Sequence, residues 1–63
     1  MSNDPIMKAY LSAAAELSEA LSRRLDMYAK RGKIDHLELV DAIELLRSLA
    51  EVAARVKRQR TLV

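Results

Sequence analysis

The chain has 63 residues, with one Gly, one Pro and no Cys, Trp or Phe; it is 51% hydrophobic and 32% charged, with 11 basic against 9 acidic residues. That composition folds rather than stays disordered, and this length holds one domain at most. The lack of cysteine excludes disulfide scaffolds and thiolate metal sites. No apolar run approaches the roughly 18 residues of a membrane span. The opening residues Met1-Ser2-Asn3-Asp4 lack the apolar stretch of a signal peptide, so the expected compartment is the cytoplasm.

Strong helix formers dominate, and only Pro5 and Gly32 break the pattern. Asp4 followed by Pro5 suits an N-cap and first helical position, predicting a first helix from about residue 5 to about Arg31. Lys30 and Arg31 favour the negative end of its dipole, and Gly32 suits the residue just past its end. After a turn over 32–35, Asp35 and Glu38 have the spacing of a capping box, bracketed by Ile34 and Leu39 at staple positions. A second helix is expected from about His36 to about Arg58, leaving a basic tail at 59–63.

At 100° per residue, helix 1 carries an apolar stripe of Met7, Tyr10, Leu11, Ala14, Leu17, Leu21, Leu25 and Tyr28, flanked by Ile6, Ala13, Ala20 and Met27. Helix 2 carries Leu39, Ala42, Ile43, Leu45, Leu46, Leu49, Ala50, Val52, Ala53 and Val56. Each arc spans roughly 200°, about twice the stripe that packing on one neighbour needs. A two-helix hairpin buries one seam per helix and leaves the rest facing water. Chains this small usually add metal, disulfides or self-association. The predicted fold is therefore all-α: an antiparallel helical hairpin, with two hairpins pairing into a homodimeric four-helix bundle. The dimer core is expected to draw on Tyr10, Ala14, Leu17, Leu21, Leu25, Leu39, Ile43, Leu46, Leu49 and Ala53.

Charge alternates along the chain, with −2 over residues 1–22, +4 over 23–33, −4 over 34–51 and +4 over 52–63. An antiparallel hairpin sets basic blocks beside acidic ones, and both helices place acid early and base late, as the dipole favours. Pairing and dipole together account for most of this order. Arg55, Lys57, Arg58 and Arg60 form the basic stretch not fully used up by pairing.

Several residues invite a second reading. Tyr10 and Tyr28 are expected to cap the two ends of the core with hydroxyls reaching water. Tyr28 with Arg24, which falls inside the apolar arc, is also a candidate anchor for a partner, as are Met27, Leu37 and Val40 at the edge. Ser18 is expected to bond back to the carbonyl of Ala14. His36, the lone histidine, reads as a surface or capping residue, because a metal site needs several convergent ligands. The end Thr61-Leu62-Val63 has the Thr-x-Val form that PDZ-type domains accept, although a frayed end accounts for it as well.

Only Arg24, Ser18, Glu38 and Lys57 among polar residues approach the expected core, and no phosphate-binding loop or paired inward carboxylates occur. No catalysis, cofactor or metal is expected. Equal numbers of acids and bases on the polar faces, with no Trp, argue against a membrane surface. The length, hairpin and Ala/Leu layering resemble the plasmid-encoded Rop family, whose dimeric four-helix bundle binds paired RNA loops through its first helices. That resemblance implies an RNA- or DNA-binding regulator as the alternative function. The matching outer strip here, Lys8, Ser12, Glu16, Glu19, Arg23, Asp26 and Lys30, mixes signs, which weakens phosphate binding. The favoured expectation is a small non-catalytic dimeric module acting by protein–protein interaction, a regulator or inhibitor of a bacterial or phage host protein by analogy with compact regulators carried by phages and plasmids.

Overall fold

The computed structural model describes residues 4–62, which form an antiparallel hairpin of two helices, α1 over Pro5–Arg31 and α2 over His36–Leu62. Each start is fixed by a carboxylate. The Asp4 side chain accepts from the backbone N–H groups of Ile6 at 3.0 Å and Met7 at 3.2 Å, satisfying two of the donors a helix start leaves free. At α2 the capping box is reciprocal. Glu38 N–H donates to Asp35 at 2.8 Å, and Asp35 N–H donates to the Glu38 carboxylate at 3.1 Å. Gly32 ends α1 with φ +73°, donating its N–H to the carbonyls of Tyr28 and Ala29. The left-handed conformation explains why glycine stands there.

The seam follows an unbroken alternation of three and four residues, the spacing of a coiled-coil stripe. On α1 it reads Met7, Tyr10, Ala14, Leu17, Leu21, Arg24, Tyr28; on α2 it reads Glu38, Ala42, Leu45, Leu49, Val52, Val56, Gln59. Every one of these is buried or half-buried, and Leu21, Tyr28, Ala42 and Val52 are the most buried of the described residues. Alanines among the leucines let the helices approach closely, as alternating small and large side chains do in packed layers.

Two local expectations are corrected. Helix α2 runs four residues past the expected end at Arg58, so Gln59 to Leu62 are helical rather than tail. No Gly or Pro interrupts them, Thr61 donates its hydroxyl to the Lys57 carbonyl at 2.9 Å, and Gln59 is anchored to Asp4 at 3.0 Å. The Ser18 hydroxyl bonds the carbonyl of Ala15 at 3.0 Å instead of that of Ala14, one residue nearer along the turn. Val63, the last residue of the Thr-x-Val end, lies outside the described residues.

The hairpin is a rod of 46 × 17 × 11 Å with a radius of gyration of 14.6 Å. A compact chain of this length would have a radius near 10.6 Å (about 2.2·N^0.38). Two helices side by side cannot approach a sphere, and much of their circumference stays in water.

Candidate functional site

The two broad faces of the hairpin differ. In an antiparallel pair, the residues one step after each seam position on both helices fall on the same side, because each right-handed helix turns toward it when read from its own N-terminus. That row is Leu11, Ser18 and Leu25 on α1 and Leu39, Leu46, Ala53 and Arg60 on α2, with Lys8, Ala15, Ser22, Ala29, Ile43, Ala50 and Lys57 at its margins. Leu11, Leu25, Leu39, Ile43 and Leu46 stand between 45% and 52% exposed, so half of each side chain remains in water. A shallow groove along α1, lined by Ser18, Leu21, Ser22, Leu25, Asp26 and Ala29, opens on this side.

The opposite face mixes polar contacts with the exposed side chains of Ile6, Met27 and Leu37. Arg24 Nε donates to Asp41 at 2.7 Å across the seam, and its guanidinium also donates to the Ala20 carbonyl at 3.2 Å. Arg31 pairs with Glu38 and bonds the Lys33 carbonyl, while its guanidinium lies 5.3 Å from the Tyr28 ring centroid. The bond to Arg31, aided by the Asp35 N–H, holds the Glu38 carboxyl below its usual range and raises the Arg31 guanidinium. Asp4 is likewise lowered, first by the Gln59 amide and then by the Met7 N–H.

The expected dimer-core residues therefore divide. Tyr10, Ala14, Leu17, Leu21 and Leu49 are spent on the intramolecular seam, whereas Leu25, Leu39, Ile43, Leu46 and Ala53 lie on the open face. The candidate partner residues are scattered. Tyr28 is buried and Arg24 is engaged by Asp41, while Met27, Leu37 and Val40 are exposed near the turn, Leu37 at 79%. His36 is exposed at the first position of α2. Sequence reasoning missed Gln59 and the stacking of Arg31 on Tyr28. The signal for Gln59 was present, since it continues the seam alternation by one further step.

Charge pairing differs between the two ends of the rod. Ion pairs cross between helices near the turn, as Arg24–Asp41 and Arg31–Glu38, with Arg23–Glu19 and Lys30–Asp26 along α1. Among the described residues none involves Lys8, Arg55, Lys57, Arg58 or Arg60, and the neighbouring Asp4 is met by neutral Gln59. Tyr10, Arg55, Arg58, Gln59 and Leu62 line an open notch at that end. Among the described residues no group of three or more His, Asp or Glu stands close enough to hold a metal ion. Nor is any helix among them long and apolar enough to cross a membrane.

The chain matches no family model, no curated protein and no solved structure. Its functional reading rests on its own surface.

Proposed function

We propose that the chain is a non-catalytic helical module that works by protein–protein interaction, beginning with a second copy of itself, and belongs among regulators or inhibitors rather than enzymes. The carrying observation is the row of half-exposed Leu11, Leu25, Leu39, Ile43 and Leu46 along one face of the rod. Soluble monomers rarely leave so continuous an apolar strip in water.

Surface area supports the same reading. The hairpin exposes 5154 Å². A compact monomer of 7.1 kDa exposes about 4,100 Å² (6.3·M^0.73), so the excess is on the order of 1,000 Å². Standard interfaces bury about 800 Å² per partner. Pairing two hairpins through the open face gives each helix two neighbours, the condition for a four-helix bundle. Light scattering on the purified chain tests this, with twice the mass of 7.1 kDa expected at micromolar concentration. A single-chain mass with a cooperative melt would overturn it.

One observation favours a second reading, an RNA- or DNA-binding bundle. The basic side chains Lys8, Arg55, Lys57, Arg58 and Arg60 cluster at the open end without ion-pair partners among the described residues. Phosphate contacts would use them through counterion release, so binding would be strongest at low salt and fall steeply as salt rises. Filter binding at about 50 mM salt decides it, and no retention there removes this reading.

A further inference from the structure

Resting on the reading that a second copy covers the open face, we infer that the two copies lie in opposite directions, with the turn of one beside the open end of the other. The face is graded along its length. Toward the turn its large apolar side chains are Leu25, Leu39 and Ile43, beside the small Ser22 and Ala29; toward the open end it carries Ala15, Ala50 and Ala53, with Leu11 the one large apolar side chain before Lys8 and Lys57. The inter-axis distance of packed helices is set by the side chains between them, about 8–10 Å. With both copies pointing the same way, large meets large at the turns and alanine meets alanine at the open ends. The helices would splay at one end and leave voids at the other. Opposed copies set Leu25 and Leu39 over Leu11 and Ala53, and Ile43 over Ala15 and Ala50, so each layer has similar volume.

Charge favours the same arrangement. The open end, residues 4–12 and 54–62, holds five bases and one acid, whereas the turn end, residues 23–41, holds five bases and four acids. Copies in the same direction would bring Lys8 and Lys57 of both chains together at one end of the face. Opposed copies place that strongly basic end beside a nearly neutral one, within the range of about 8–10 Å over which charges act at moderate salt. The two-fold axis then passes near Ser18, the midpoint of α1, where a small side chain permits close approach. The assembled rod presents one basic cluster at each tip.

The chain contains no cysteine, so a Lys33→Cys variant in the exposed turn accepts one spin label at a single site. Pulsed dipolar spectroscopy on the full-length labelled chain, with light scattering on the same sample, reads both questions. Opposed copies give a label separation approaching the 46 Å length of the rod. A dimer with a separation under roughly 25 Å, the span of adjacent turns in a four-helix bundle, overturns the orientation and leaves self-association standing. A single-chain mass overturns self-association and this inference with it. A second label at Thr61→Cys, at the far end, is expected to give a long distance too; a short one there would refute the orientation independently.

Discussion

Replacing Leu39, Ile43 and Leu46 together by Gln separates the role of the open face from that of the seam. Each of the three side chains is about half exposed in the hairpin, so the hairpin itself loses little by the change. Full burial of a Leu or Ile stabilises by about 1.5–3 kcal/mol, so covering the exposed half of each contributes about 1 kcal/mol. Three positions on two copies amount to about 6 kcal/mol of association free energy, or roughly four decades in Kd. Sedimentation velocity over a concentration series is expected to show a dimeric wild type at low micromolar concentration. The triple variant should stay monomeric at concentrations where the wild type is fully paired, and its circular dichroism should remain helical. A triple variant that sediments like the wild type at every concentration would refute the reasoning, because the face would then contribute nothing to association.

Seam positions should respond differently. Leu21→Ala, at a position only 7% exposed, is expected to destabilise the fold by about 2–5 kcal/mol, read as a lowered denaturant midpoint at fixed protein concentration. Gly32→Ala meets no neighbouring atom within 4 Å, so its cost is confined to the backbone at φ +73°, about 1–2 kcal/mol, and Gly32→Asn should cost less by thermal melting. A double-mutant cycle on Arg24→Ala and Asp41→Ala should return a coupling below about 1 kcal/mol that shrinks with added salt, since both side chains keep 40–49% exposure. The pH dependence follows from Asp4 and Glu38, whose carboxyls are both held below their unfolded values. Their contribution is complete above the unfolded carboxylate range near pH 4 and is lost as pH falls through the lower folded values. Melting temperature should therefore drop on acidification below about pH 4, and Asp4→Asn with Glu38→Gln should flatten that drop.

Both helix starts and the end of α1 were legible in the sequence because each is set by local chemistry. Asp4, Pro5, Gly32 and the Asp35/Glu38 pair act within a few residues of themselves, and the structure places them as their types require. The end of α2 was not legible. Its last turn is held by a contact across 55 positions, Gln59 to Asp4, whose one trace in the sequence is that Gln59 continues the seam alternation. The width of the apolar arcs showed that each helix has more apolar surface than one neighbour can cover. How that surface divides between seam and open face depended on the register of the hairpin. Leu21 and Leu25 share one stripe in the sequence, yet one is buried and the other half in water. The same register explains Arg24 and Tyr28, read as neighbours on one helix. Arg24 turns instead to Asp41 on the other, and Tyr28 is overlaid by Arg31. Electrostatic pairing was anticipated in general form and holds near the turn, but at the open end the chain offers a single acid for five bases.

The Arg24–Asp41 bridge sets a charged pair on the reverse side of the rod, between exposed Ile6, Met27 and Leu37. A ribbon sticky on both sides could add copies indefinitely and grow into filaments, as head-to-tail contacts that never close do. In the proposed pair, recruitment would halt once two ribbons had turned their leucine rows toward each other, leaving the Arg24–Asp41 bridges outside.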